Sequence, residues 1–162
     1  MSDTPIANRV IADVAIGDAL PTLSYDVTAS TIVLGALAAR DWRPMHHDYD
    51  FAVNRNGTQD IFLNTPNQAA WFERYVTDWT GPMGRLGRMT FRMKGSVFPR
   101  DTMVLNANVT AIAIDETGCG WTELMVSLSV NDQLKTDCTV RVALPTSVND
   151  NPWRRTGDQW TP

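Results

Sequence analysis

Cysteine and histidine, which carry much of the chemistry of proteins, are scarce in this chain of 162 residues, which has two of each. The cysteines, Cys119 and Cys138, are too few for a disulfide framework, and neither stands near another candidate metal ligand in the sequence. We therefore expect both thiols to be reduced, Cys138 to pack in a strand, and the protein to need no metal ion.

The chain also lacks a surplus of positive charge and a long apolar run. Its net charge is -4, which argues against nucleic acid as the main partner because phosphate binding needs a basic surface. No segment approaches the ~18 consecutive apolar residues of a membrane span. The start, MSDTPIANRV, has neither the basic region nor the apolar region of a signal peptide. These absences predict a cytoplasmic protein that binds neither nucleic acid nor membrane.

No internal repeat and no low-complexity linker divides the chain, and its length suits one domain. We expect that domain to span residues 1–146 and a C-terminal tail to span 147–162. The tail, SVNDNPWRRTGDQWTP, shows no periodicity. Two interpretations of it stay open: a partly disordered end, or a segment whose Trp153 and Trp160 dock on this chain or on a partner.

The first half of the sequence predicts helices. The strongest pattern is NTPNQAAWFERYVTDWTG (64–81), where Thr65 is the expected N-cap and Pro66 suits the first helical position. Its apolar residues fall on one helical face, namely Ala69, Phe72, Val76 and Trp79. STIVLGALAA (30–39) predicts a second helix capped by Ser30 or Thr31, and DYDFAVNRNG (48–57) predicts a short one capped by Asp48.

The second half predicts strands. Apolar and polar residues alternate around 89–94, 102–114, 122–130 and 136–142, and a period of two places one face of each strand in the core. NDQ (131–133) indicates a turn between the last two strands, and 19–28 could hold a short first strand. One long helix followed by antiparallel strands predicts an α+β domain, with a curved sheet around the helix. The open edge of such a sheet favours pairing with another chain.

Both histidines lie in RDWRPMHHDYDFA, Arg40 to Ala52. Asp41 and His46 are separated by Pro44, whose fixed φ makes the intervening bend rigid. A carboxylate and an imidazole that converge on one water can activate it by general acid–base catalysis. The alternative from these residues alone is a capping aspartate and a packed histidine. Asp48 is expected to be a helix cap, and His47 is expected to point away from His46.

This run resembles the hydratase-2 signature of the MaoC-like (R)-specific enoyl-CoA hydratases. That signature reads Gly-Asp-x-Asn-Pro-aliphatic-His, then five residues, then Ala or Ser. The residues in register here are Asp41, Pro44, Met45, His46 and Ala52. VFPRDTM (97–103) is similar to the recurrent VFPGDTL of the family. The resemblance extends over about 20–143 and implies a hotdog fold that works as dimers or tandem repeats.

The resemblance also implies a reaction. Asp41 and His46 would activate water for syn addition across a trans-2-enoyl-CoA, giving a 3-hydroxyacyl-CoA. No cofactor is implied, because coenzyme A is part of the substrate. The family stabilises the thioester oxygen with a backbone N–H at the start of the long helix. Pro66 has no N–H, so the candidates here are Thr65 or Asn67, with the Asn64 side chain as a substitute.

Arg40 and Arg43 depart from the signature, since they stand where Gly and Asn are usual. With them, HHDYD, DIF-N and RYVTDW look most like the small MaoC-like subunit of bacterial steroid side-chain hydratases. That resemblance implies a steroid acyl-CoA substrate and a second hotdog chain as partner, although a homodimer stays open. Arg85, Arg88 and Arg92 are candidates for binding coenzyme A phosphates, because guanidinium suits phosphate. The alternative, which ordinary surface composition favours, is that they are solvated strand and loop charges.

Two other functions remain open on the sequence. In the first, the chain is a non-catalytic hotdog partner that completes the pocket of a heteromeric hydratase. In the second, it is a hotdog acyl-CoA thioesterase, since the fold also hosts thioester hydrolysis. A thioesterase of this fold tends to carry an acidic residue on or beside the long helix, where Glu73 is the one glutamate.

Overall fold

The computed structural model describes residues 8–162 and contains three α-helices and five β-strands. The helices are α1 (Ala29–Ala38), α2 (Tyr49–Asn54) and α3 (Thr65–Thr80). The strands are β1 (Leu23–Asp26), β2 (Arg85–Met93), β3 (Thr102–Ile114), β4 (Gly120–Val130) and β5 (Gln133–Leu144). Short 3₁₀ turns, one of them Pro44–His46, join or flank these elements.

All five strands form one antiparallel sheet in the order β1-β3-β4-β5-β2. The predicted period of two is visible in β4, where Leu124, Val126 and Leu128 are buried at alternate positions. A two-residue turn joins β4 to β5, and both of its residues, Asn131 and Asp132, have positive φ, as the common hairpin turns require. The α+β prediction and the predicted strands are therefore confirmed.

Helix α3 packs its apolar face on the sheet. Phe72 and Val76 are completely buried, and they belong to one hydrophobic cluster with residues of β3, β4 and β5. Burying side chains of this size contributes roughly 1.5–3 kcal/mol each. The predicted helical face is confirmed, and the packing fixes where the first turn of α3 lies relative to the strands.

Two predicted N-caps are wrong by one to three residues. Helix α3 is capped by Asn64, whose side-chain oxygen accepts a hydrogen bond from the Asn67 N–H, so Thr65 is already the first helical residue. Helix α1 is capped by Thr28 rather than by Ser30 or Thr31. Asn and Thr both satisfy the orphan N–H groups of a first turn well, and sequence alone does not rank neighbouring candidates. The cap of α2 by Asp48 is confirmed.

Two arginines occupy backbone conformations that favour glycine. Arg40 has φ of 51° and Arg100 has φ of 75°, in the left-handed region where a Cβ atom is strained. Both stand where the resembling family patterns have glycine. The chain therefore carries a large cationic side chain at two positions whose backbone conformation favours glycine.

We predict that Arg40→Gly and Arg100→Gly each stabilise the fold by about 0.5–1 kcal/mol. Relief of the left-handed strain outweighs the added freedom of the unfolded chain. The Arg100 side chain is 90% exposed and lies 3.7 Å from Asp60, a contact too weak to reverse the sign. Urea unfolding measures the effect. Arg40→Ala is the control, because alanine keeps the Cβ strain; an equal gain from that variant would contradict the explanation.

The tail packs on the outer side of β2 and β4. The Arg85 guanidinium donates hydrogen bonds to the carbonyls of Pro152 and Arg155 and lies 3.6 Å from the ring centroid of Trp160. Trp160 in turn packs on Trp121, with ring centroids 4.9 Å apart. These contacts agree with the interpretation that Trp160 docks on this chain.

Both cysteines are free and buried. Cys138 lies in β5, as predicted, and burial raises the pKa of its thiol to about 12, so it packs as an apolar side chain. Among residues 8–162, no helix combines the length and the hydrophobicity needed to cross a membrane.

Candidate active site

Asp41 and His46 are brought together by the turn that follows α1. The Asp41 N–H donates a hydrogen bond to the Ala36 carbonyl, and the left-handed Arg40 just before it redirects the chain. The 3₁₀ turn Pro44–His46 then returns the imidazole toward the carboxylate. Asp41 Oδ2 and His46 Nε2 are 3.7 Å apart, and the two residues are only 8% and 5% exposed. The sequence spacing thus produces two buried side chains that face one point.

The orientation of His46 is fixed by a backbone carbonyl. His46 Nδ1 lies 2.8 Å from the Phe62 carbonyl oxygen, and the imidazole packs edge-on against the Phe62 ring. A carbonyl oxygen can only accept, so Nδ1 must carry the proton. In the neutral imidazole the lone pair is then on Nε2, which is the atom that faces Asp41. Nε2 is therefore arranged to accept a proton from a group in the space between the two side chains.

The gap between the two side chains has the size of a water bridge. A separation of 3.7 Å is too long for a direct hydrogen bond between Nε2 and Oδ2. A water oxygen at about 2.8 Å from each atom fits that separation. The geometry therefore suits the activation of one water molecule.

Asp41 is held as a carboxylate by its neighbours. Arg43 donates to it from Nε at 3.0 Å, from Nη2 at 3.2 Å and from the backbone N–H at 3.3 Å. Asn64 Nδ2 donates to Oδ2 at 3.0 Å. Arg43 holds the pKa of this carboxyl far below its usual range; burial opposes that shift and Asn64 adds to it. Asp41 is consequently ionised at every pH at which the protein is expected to work.

The first turn of α3 lies directly beside Asp41. The Asn64 side chain links the two, because its amide donates to Asp41 while its oxygen accepts from the Asn67 N–H. The Asn67 side chain donates to the Thr31 carbonyl. Both predicted asparagine candidates for the oxyanion contact are therefore engaged within the protein. The Thr65 N–H, by contrast, has no acceptor among residues 8–162.

The three arginines proposed for coenzyme A lie along β2 and do not share one environment. Arg85 is engaged with the tail, as described above. Arg88 and Arg92 are exposed, whereas Met89 and Phe91 between them pack against the core. Arg88 and Arg92 thus lie on the face of β2 that points away from α3, and their role in binding stays a prediction.

The remaining polar residues of the motif stay outside the site. His47 is exposed, and its Nε2 lies 3.4 Å from the Trp42 carbonyl, so it diverges from His46 as expected.

The sequence identified Arg43 only as a departure from a signature, although an arginine two residues after an aspartate in a turn is a usable signal for an ion pair. The contribution of the Phe62 carbonyl has no sequence signal.

A long helix packed on one face of an antiparallel sheet, with a histidine and an aspartate beside the N-terminal end of that helix, matches the arrangement that the resemblance to the MaoC-like hotdog family implies. Over 97 residues the chain is 37% identical to the 3-oxo-4,17-pregnadiene-20-carboxyl-CoA hydratase beta subunit of Mycobacterium tuberculosis, covering 60% of this chain and 74% of that protein. No family model matches the chain.

Solved structures agree. The ChsH1–ChsH2 complex of Mycobacterium tuberculosis contains a chain that matches with a TM-score of 0.75 and 32% identity, over 80% of this chain and 98% of that one. The (R)-hydratase of A. caviae involved in PHA biosynthesis matches with a TM-score of 0.72 and 20% identity, over 82% and 98%. The chain belongs to the MaoC-like hotdog family of hydratases. The family and the hotdog fold implied by the sequence are confirmed.

Proposed function

We propose that this chain is a catalytic subunit of an enoyl-CoA hydratase that adds water across a trans-2-enoyl-CoA. The observation that carries the proposal is the convergence of the Asp41 and His46 side chains, with His46 Nε2 free to accept a proton. The family of the chain supports the reaction class. A hydratase working in reverse is a dehydratase, so the same site serves both directions.

In this proposal His46 Nε2 takes a proton from a water molecule held beside Asp41 while the water oxygen bonds to C3 of the enoyl group. Negative charge then develops on the thioester oxygen. The Thr65 N–H, at the positive end of the α3 dipole, is the donor we assign to it. General acid–base catalysis typically contributes ~10²–10⁴ in rate, and one oxyanion donor contributes ~10²–10³.

We further propose that the working enzyme contains a second MaoC-like hotdog chain and acts on a steroid side-chain acyl-CoA. The names of the relatives support this, because one is a beta subunit acting on a pregnadiene carboxyl-CoA and another is a two-chain complex. The sheet supports it as well: among residues 8–162, β2 is nine residues long, ends the sheet and pairs with β5 on one side only. An edge of that length is usually covered in a working assembly.

The test is reconstitution. The chain is purified alone and co-expressed with each second MaoC-like hotdog chain of the source genome. Each preparation is assayed with crotonyl-CoA and with a steroid side-chain enoyl-CoA. We expect weak or no hydration by the chain alone and turnover by one heteromer. We expect kcat/KM for crotonyl-CoA to be at least about tenfold lower than for the steroid substrate, because the short acyl group makes fewer contacts with the enzyme.

Three outcomes contradict the proposal. A heteromer that stays inert with both substrates contradicts the hydratase function, and a heteromer whose turnover survives replacement of both Asp41 and His46 favours a non-catalytic partner role for this chain. Release of free coenzyme A without hydration indicates a thioesterase. Glu73, the acidic residue that such an activity would use, is exposed on the polar side of α3.

A further inference from the structure

The contact between Arg43 and Asp41 is unusually complete for a pair in which one member is exposed. The Arg43 side chain is 67% exposed and that of Asp41 is 7% exposed. A carboxylate offers about four acceptor positions. Three N–H groups of Arg43 and one of Asn64 point at these positions. Asp41 is thus left with little capacity to take up a further proton.

We propose that Arg43 is a positioning residue that keeps Asp41 an ionised, weakly basic group, so that His46 alone carries both proton transfers of the hydration. This inference rests on the proposed function. It assigns Asp41 an electrostatic role: the carboxylate lies 3.7 Å from His46 Nε2 and stabilises the imidazolium that forms when Nε2 is protonated.

The proton balance of this scheme closes without a further reactant. The water O–H bond breaks as the proton moves to His46 Nε2, and the water oxygen forms a bond to C3. The C2=C3 electron pair moves toward the thioester carbonyl, giving an enolate. The enolate then takes the proton back from Nε2 at C2, which restores the neutral imidazole and leaves a 3-hydroxyacyl thioester.

Few charged groups can disturb this arrangement. Among the described residues, the charged or titratable side chains in contact with the Asp41 carboxylate are Arg43 and His46. The third neighbour, Asn64, is neutral. Helix α1 approaches Asp41 through the backbone carbonyl of Ala36. Removing Arg43 therefore removes the main cause of the low pKa, and burial then raises the pKa of the carboxyl toward or above its ordinary value.

The experiment is the pH profile of kcat for the reconstituted heteromer and its Arg43→Asn variant, which carries the residue usual in the family signature. We expect kcat near neutral pH to fall about tenfold, because Asp41 loses its fixed orientation. On the acid side of the profile, the slope of log kcat against pH should change from one to two at about pH 4–5, because an Asp41 carboxyl without the Arg43 hydrogen bonds titrates there. Arg43→Lys keeps the positive charge but lacks the two-pronged guanidinium, so its kcat should lie between those of the native chain and Arg43→Asn.

Two controls make the result specific. Arg55→Asn, at the end of α2, also removes an exposed arginine and should leave kcat and the profile unchanged. In an Asp41→Asn background, Arg43→Asn should have no further effect on kcat, because Arg43 acts through Asp41.

The inference is overturned by a variant with unchanged kcat and a one-proton acid side, or by a variant with higher kcat. It is also overturned if Arg43→Asn lowers kcat by the same factor in the Asp41→Asn background as in the native chain, or if it raises only KM. Either result would make Arg43 a substrate-binding residue. A heteromer that is inactive with its native sequence contradicts the proposed function instead, so the two failures are distinguishable.

Discussion

Replacing His46 by alanine is expected to lower kcat for hydration by about 10³-fold, within the range typical of a lost general base. In the proposed function His46 Nε2 is the proton acceptor, because Nδ1 is engaged by the Phe62 carbonyl and Asp41 is surrounded by hydrogen-bond donors. KM should change little, since the imidazole is placed to act on water rather than to hold the acyl-CoA.

The measurement is kcat of the reconstituted heteromer with the variant, beside a far-ultraviolet circular dichroism spectrum. His47→Ala is the matched control: it removes a neighbouring imidazole that is exposed and makes one long contact, to the Trp42 carbonyl at 3.4 Å. His47→Ala should keep normal activity. Near-normal turnover by His46→Ala with a native spectrum would remove this residue from the mechanism.

Asp41→Asn is expected to lower kcat by about 10²-fold or more and to destabilise the fold by about 1–3 kcal/mol. The substitution keeps the size of the side chain but removes its charge, and the imidazolium then has no anion beside it. One carboxylate oxygen also becomes an NH₂ group. Arg43 and Asn64 donate to Asp41 from both sides, so the new NH₂ group must face a donor.

Steady-state kinetics and urea unfolding measure the two parts of this prediction. Asp48→Asn is a close control, because Asp48 caps α2 through its side chain and asparagine caps a helix as well as aspartate does. That variant should keep both activity and stability. If Asp41→Asn retained full activity, the carboxylate would have no role in the chemistry, and the inference about Arg43 would fall with it.

The architecture was accessible from the sequence because the pattern and the packing agree. Alternation in 102–114 and 122–130 gave β3 and β4, and the apolar spacing of Phe72, Val76 and Trp79 gave the face of α3. Helix starts were less accessible. Asn64 and Thr65 are both good caps, and the choice between them depends on where the chain enters the helix.

The site was accessible in part. The five-residue spacing of Asp41 and His46 around Pro44, together with the family resemblance, pointed to the pair whose side chains the structure brings together. Their environment depends on tertiary contacts that no local pattern encodes. Phe62 contributes a backbone atom 16 positions after His46, and Asn64 reaches Asp41 across 23 positions. The engagement of Arg85 with the tail likewise spans about 70 positions.

The Asn64 side chain makes two hydrogen bonds, one donated to Asp41 and one accepted from the Asn67 N–H. This limits how the site can change by mutation. A substitution of Asn64 would have two effects, because it would remove the cap of α3 and would leave the Asp41 carboxylate misplaced. Stability and reactivity therefore cannot vary separately at this position. Arg43 is different, because its side chain is exposed and caps no helix, so its substitution acts on the Asp41 carboxylate without the loss of a cap. Directed evolution of this site therefore has one adjustable position, Arg43, and one fixed position, Asn64.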